Sequence, residues 1–273
     1  DADDAIRVDR WFKRHHPGFP HAMLEKQCRK GLIRVDGKKI KTSDRLGAGQ
    51  VLTYPEITLV IQPKKERRVS DHDAQEALRW VIYKNADVIV INKPFGLPVQ
   101  GGSKVSKSVD DVLDALKFDA KDRPKLVHRL DRDTSGVLVL ARSAKAAATL
   151  AKAFAGKDIN KTYWAIVNGQ PMPMKGTIDY KLLKAIHGEA SYERVAVDEE
   201  DGKYAKTEYR VIEHLARRFS FMELKPLTGR THQLRVHMQA INCPIVGDHK
   251  YGGYTTDAKS LGGANELHLH ARR

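Results

Sequence analysis

Apolar positions along this chain change period several times, and each change marks an element. Near the start, Trp11 and Phe12 sit in a short amphipathic segment that stops at Pro17 and Gly18. Pro20 then opens a second helix running to about Lys30, with Gly31 placed to end it. Proline suits a first helical turn, and glycine suits the left-handed residue after the last. On this helix Met23, Leu24 and Cys28 share one face, while Lys26, Arg29 and Lys30 share another at helical spacing. Alternation takes over at Leu32, Ile33, Arg34 and Val35, followed by the pair Asp36 and Gly37 and then Lys38, Lys39, Ile40 and Lys41. This pattern predicts a tight hairpin with a primed turn and a basic outer edge. A further strand is expected at 51–54.

From about residue 61 the periodicity disappears into a charged run that includes Lys64, Lys65, Glu66, Arg67 and Arg68, which reads as a linker. Strands return afterwards. The run at 87–92 is nearly all apolar, as in a buried strand, and closes at Lys93 and Pro94. Ser108 is placed to cap a helix with Asp110 and Asp111 in its first turn and Val112, Leu113 and Leu116 inside. A strand at 136–140 leads to an Ala-rich helix over 143–156, capped by Ser143 and stopped by Gly156. Strands are expected at 161–167, ending in the turn pair Asn168 and Gly169, then at 205–213 and 219–227, and in the alternating stretch 267–270. The last clear helix starts near Thr231 and carries Leu234, Met238 and Ile241 inward. Helices mixed with hairpin-linked strands make the class α+β with a largely antiparallel sheet. The expected division is a small basic α/β module at 1–60, a linker at 61–77 and a larger domain at 78–273.

Charge narrows the partners. Among 273 residues, 48 Lys and Arg against 34 Asp and Glu leave a formal charge of +14, so the surface attracts polyanions. Nucleic acid is the expected one, because the sequence contains no long apolar run and no basic stretch beside a hydrophobic helix. Its only cysteines, Cys28 and Cys243, are far apart and lack partners at zinc spacing, which predicts a reducing compartment: cytoplasm, or an organelle of bacterial descent.

Candidate chemistry concentrates in "HRLDRDTSG", from His128 to Gly136, which places two carboxylates, two guanidinium groups, an imidazole and two hydroxyls within nine residues. Core strands frame this loop closely. Its composition fits either a solvated turn or a site built at the end of a sheet. The motif resembles the signature of the RluA-like branch of pseudouridine synthases, and three further elements occur in that family's order. They are "VINKPFGLPVQGG" from Val90, "KTYWAIVNG" from Lys161 and "LKPLTGRTHQLRVHMQAINCPIVGDHKYGG" from Leu224. Together they span most of residues 78–273. The leading helix, basic helix and "GLIRVDGKKIKTSDRLGAGQVL" resemble the S4 RNA-binding module.

The resemblance implies a pseudouridine synthase fold and isomerisation of uridine in large-subunit ribosomal RNA, free or within pre-ribosomal particles; separately, a monomer is expected. It also implies roles for individual residues. Asp131 is the catalytic nucleophile, Arg235 the cation paired with it, and Tyr163 the active-site tyrosine that stacks on the target base and takes part in a later proton removal. Arg129 fills the place of the flipped base, with His128, Arg230 and Lys93 as further RNA contacts. In the leading module, Lys26, Arg29, Lys30, Arg34, Lys38 and Lys39 meet phosphate. The reaction neither changes oxidation state nor loses a group, so no cofactor and no metal is expected. Two other readings compete. A metal-dependent phosphoesterase would draw ligands from His128, Asp131, Asp133, His232, His237, Asp248 and His249, whose spacings match no compact metal motif. An RNA-binding assembly factor would keep the fold without catalysis.

Overall fold

The computed structural model describes residues 5–56, 69–102, 105–156, 158–187, 192–215, 217–252 and 266–273. The chain forms two compact units, Asp1–Glu66 and Arg67–Arg273.

In the first unit β1 (Ile6–Arg7) leads into α1 (Val8–His15), and α2 (His21–Lys30) follows. Gly31 ends α2 in the left-handed region at φ 72°, as its place after the last basic turn predicts. The strands β2 (Arg34–Val35) and β3 (Lys38–Lys39) pair around Asp36 and Gly37, both at positive φ, so the primed hairpin forms. β4 (Arg45–Leu46) pairs with β1, and β5 (Leu52–Thr53) completes the sheet with β2. Val8, Phe12, Leu24, Cys28, Ile33, Val35 and Leu46 make the core. Met23, expected beside Leu24 and Cys28, is exposed instead. A ten-residue helix lying on so small a core buries only a narrow stripe.

The second unit starts earlier than the charge pattern suggests. Residues 57–68, which hold the charged run, lie outside the described residues. Within the span read as linker, however, α3 (Asp71–Arg79) is a helix capped by Ser70, whose hydroxyl accepts the Asp73 N–H at 3.1 Å. Ala77 at its end is fully buried against the core. Next come β6 (Val81–Lys84), β7 (Val88–Lys93), α4 (Val109–Val112) with a 3-10 turn at Leu113–Leu116, and β8 (Lys125–Leu126). They are followed by β9 (Ser135–Ala141), α5 (Ala144–Ala155), β10 (Tyr163–Asn168), β11 (Lys175–His187) and β12 (Tyr192–Val197). β13 (Lys203–Leu215), β14 (Phe219–Pro226), α6 (Gln233–Ala240) and β15 (Leu269–Ala271) complete the chain.

One sheet collects these strands in the order β12-β11-β13-β14-β10-β15-β9-β7-β6, with β8 also on β9. Every described pairing is antiparallel except β15 with β9. The expected α+β class and largely antiparallel sheet are therefore what the fold contains. The 13-residue β11 and the six-residue β12 were not anticipated. β7 differs in a smaller way: Ile89 and Ile91 are fully buried while Val88 and Val90 are only half covered, so one face rather than both is packed.

A change of partner along β9 makes room for the site. At its start Ser135 and Gly136 pair with His270 and Ala271 of β15, and at its end Leu140 and Ala141 pair with Leu126 and Lys125 of β8. Between these ladders the Val139 N–H has no strand to bond, and it donates instead to Nε2 of His128 at 2.9 Å. The loop from His128 to Thr134 leaves the sheet through this gap. Gly136 closes it at φ 107°, where an added β carbon would stand 2.3 Å from the Ala271 carbonyl oxygen. Gly136→Ala should therefore lower stability by about 2–4 kcal/mol, measured by urea unfolding of the full chain; a loss below about 0.5 kcal/mol would contradict this packing.

Candidate active site

The loop His128 to Thr134, the start of β10 and the turn before α6 converge on a cavity of about 430 Å³. This lies within the roughly 300–1,000 Å³ typical of small-molecule sites. Asp131, Tyr163 and Arg235 all line it, as do His128, Arg129 and Arg230. Six residues singled out from the sequence, spread from His128 to Arg235, thus share one pocket.

Asp131 is half-buried, and its carbonyl accepts the Thr134 N–H at 3.2 Å, which turns the loop back toward β9. Lys93 holds the loop from beneath. Its ammonium donates to the carbonyls of Pro94 at 2.8 Å, Leu97 at 2.7 Å and Arg132 at 3.0 Å, and the side chain is fully buried. The expected RNA contact by Lys93 is therefore replaced by a structural one: its position facing inward on β7 keeps it from solvent. Burial pulls the Lys93 ammonium down to about 8, against the charges of Asp133 and Asp131. Arg132 adds a second tie, donating from Nε to the Gly96 carbonyl at 3.1 Å.

His128 is likewise committed to the fold. Its ring stacks on Phe154 with centroids 4.0 Å apart, and Nε2 accepts from Val139. Burial, with the nearby Lys161 charge, pushes its pKa down to about 4, so the ring is neutral at physiological pH. It shapes the pocket wall and does not serve as a cationic RNA contact. Arg129, the next residue, is exposed at the pocket edge.

Tyr163 points from β10 into the pocket. Burial first, and then the Asp131 charge, push its phenol up to about 12, so it is a protonated donor at neutral pH.

The arginine departs from expectation. Arg235 does not pair directly with Asp131: its Nε and Nη2 both donate to Asp248, each at 2.7 Å. Asp248 is itself fixed, because its Oδ1 also accepts the N–H groups of Lys250 and Tyr251 at 3.0 and 3.1 Å. A bidentate carboxylate in a turn packed under α6 outcompetes one on a solvent-facing loop. Burial lowers the Arg235 pKa, but Asp248, with Asp131 behind it, outweighs this and holds it above its ordinary value. The imidazole of His232, at the head of α6, faces Asp131 with Nε2 4.0 Å from Oδ2. Below it, Gln233 accepts from the Thr228 hydroxyl at 2.7 Å and the Arg230 N–H at 3.0 Å, and donates to the Lys206 carbonyl at 2.9 Å, which fixes the lip of the pocket.

The family model described as "RNA pseudouridylate synthase" matches residues 87–240, which include every element of this pocket up to α6. The chain belongs to the RNA pseudouridylate synthase family. It is 36% identical to the Arabidopsis thaliana protein called RNA pseudouridine synthase 4, mitochondrial, over 89% of this chain but only 59% of that one. It is 37% identical to the ribosomal large subunit pseudouridine synthase C of Escherichia coli strain K12, over 99% of this chain and 85% of that one. A solved structure, Human RNA Pseudouridylate Synthase Domain Containing 4, superposes with a TM-score of 0.61 at 32% identity, covering 73% of this chain and 84% of that one.

For this synthase family member the metal reading finds no support in the donor geometry. Both Asp248 oxygens accept from Arg235, and His232 Nδ1 lies 2.8 Å from the Tyr251 hydroxyl. Among the described residues, three donors cluster closely only at His72, Asp73 and Glu76, where Lys107 bonds both acids. Sequence reasoning missed His232 and Asp248 as parts of the organic site, and Tyr251 and Gln233 altogether. In the first unit Lys26, Arg29, Lys30, Lys38 and Lys39 are exposed, whereas Arg34 spends Nε and Nη1 on the carbonyls of Gly31 and Gly37.

Lys93 gives a pH test. Between about pH 8 and the ordinary lysine range, the unfolded chain keeps a proton that folded Lys93 has released, so its contribution to stability rises with pH. The stability difference between wild type and Lys93→Met should therefore shift in favour of wild type from pH 7 to pH 10. A constant difference would contradict a buried ammonium.

Proposed function

We propose that this chain converts uridines of large-subunit ribosomal RNA to pseudouridine, with Asp131 as nucleophile. What carries the reading is the meeting of Asp131, Tyr163 and Arg235 around one cavity large enough for a nucleoside. Asp131 is also the only carboxylate lining that cavity among the described residues.

The chemistry follows from this arrangement. The bond from uracil N1 to the ribose C1′ breaks, the base turns, and C5 bonds to C1′. C5 loses a proton and N1 gains one, so composition and oxidation state are unchanged. An ionised carboxylate divides this into two easier steps by adding to C1′ or to the base at C6, as carboxylates do in retaining glycosidases. The neutral Tyr163 stacks its ring on the base and offers its O–H as a donor. It is a poor base at neutral pH, because its pKa stands near 12, so the C5 proton passes to Asp131 once that carboxylate is released.

A paired base cannot enter such a cavity, and extruding it costs roughly a few kcal/mol. Arg129, exposed at the edge, takes the vacated place in the stack, and Arg230 contacts phosphate there. In the first unit the exposed lysines and Arg29 grip structured RNA in the manner of an S4 module. The target, free or in pre-ribosomal particles, is met in the cytoplasm or in an organelle of bacterial descent, by a monomer. No helix among the described residues is long and apolar enough to cross a membrane.

Asp131→Ala should abolish pseudouridine formation in a large-subunit ribosomal RNA transcript while leaving RNA affinity within about tenfold, as expected for loss of a group that acts on the bound base rather than in binding. Product formation by this variant would remove Asp131 from its role. An Asp131→Asn variant that still complemented every phenotype of cells lacking the protein would instead favour the assembly-factor reading.

A further inference from the structure

We propose that His232 is a positioning residue for Asp131, held by the buried hydroxyl of Tyr251 in the single tautomer that aims an N–H at the carboxylate. The proposal rests on the functional reading above and deepens it.

Backbone geometry sets the ring. His232 stands immediately before α6 at φ 53° and ψ 19°, in the left-handed region that side chains with a β carbon rarely occupy. In that conformation the imidazole spans two groups. Nε2 lies 4.0 Å from Asp131 Oδ2, and Nδ1 lies 2.8 Å from Tyr251 Oη.

The tautomer follows from hydrogen-bond accounting at Tyr251, whose side chain is wholly buried. Its oxygen accepts the Val195 N–H at 3.1 Å. The phenol proton then needs an acceptor, since a buried hydroxyl left without one is costly. Among the described residues the acceptor within reach is His232 Nδ1. Burial keeps the phenol protonated by raising its pKa, and the ring is fixed further by the guanidinium groups of Arg235 and Arg194, 5.0 and 5.8 Å from its centroid. If Nδ1 accepts, a neutral imidazole carries its proton on Nε2, toward Asp131.

Burial, the largest influence, lowers the pKa of the imidazole and so favours the neutral ring. Asp131 and Asp248 favour its protonation, while Arg235 and Lys250 oppose it. This suits the chemistry. With Arg235 hydrogen-bonded to Asp248, the group that faces the Asp131 carboxylate directly is a neutral donor. A neutral N–H orients a carboxylate without quenching its charge, and the 4.0 Å gap is of the kind that closes when substrate enters.

Two measurements test this on the full chain. In protein labelled with 15N-histidine, imidazole NMR near neutral pH should find His232 as the Nε2–H tautomer, and Tyr251→Phe should give a mixture. Single-turnover isomerisation of a large-subunit ribosomal RNA transcript at saturating RNA is the second. His232→Asn, whose amide reaches only toward Tyr251, should slow it by about 10- to 100-fold, the range for a lost hydrogen bond to a charged group. His232→Gln places an amide N–H where Nε2 stood and should be about tenfold faster than His232→Asn. The Nδ1–H tautomer in wild type, or equal rates for the Asn and Gln variants, would overturn the proposal. Absence of product from wild type would refute the functional reading and leave the tautomer result standing.

Discussion

The loop that carries Asp131 takes its position from a buried ammonium. Burying an unpaired lysine costs several kcal/mol, and the cost at Lys93 is offset by three carbonyl acceptors, each worth about 1.5–3 kcal/mol as a hydrogen bond to charge. Two of these acceptors belong to the 94–97 turn and the third to Arg132, next to Asp131. The charge thus joins β7 to the loop that bears Asp131, the proposed nucleophile. Gly136 at one end of the loop and His128 at the other fix where it leaves and rejoins the sheet, and neither position is free to drift without breaking a ladder.

The polar groups above this platform divide the electrostatic work. Arg235 is spent on Asp248, which lets a guanidinium sit in the pocket wall without neutralising Asp131 by direct contact. Its field still reaches the carboxylate. Tyr163 is kept protonated by burial and by that same carboxylate. The pocket therefore sets the Asp131 carboxylate against the neutral groups of Tyr163 and His232, with Arg235 acting on it indirectly and Arg129, Lys161 and Arg230 elsewhere along the lining.

Local features were legible in the sequence because their causes are local. Pro20 and Gly31 bracket α2, Asp36 and Gly37 form the primed turn, Ser143 caps α5, and Ser108 with Asp111 closes a capping box, all as their residue types predict. β11 was missed because, among its described side chains, only Ile178 and Leu182 are buried, so the apolar alternation is diluted by Lys, Thr and Asp on the exposed face. The loop around Asp131 and its companions Tyr163 and Arg235 came from resemblance to the synthase family, not from periodicity. Partners set by tertiary contact were out of reach. Nothing in the spacing says that Arg235 bonds Asp248, that Tyr251 meets His232, or that Lys93 points inward and not toward RNA.

The chain belongs to the RNA pseudouridylate synthase family; in the function proposed for it, the exposed lysines of its first unit bind RNA and the one carboxylate lining the cavity among the described residues carries the reaction. The most direct measurement is site-by-site mapping of pseudouridine in large-subunit ribosomal RNA from cells lacking this protein, resupplied with either the wild-type chain or Asp131→Asn. Modification at one or more uridines that returns with the wild-type chain and stays absent with the variant is the expected result. Full modification in cells carrying only Asp131→Asn would contradict it.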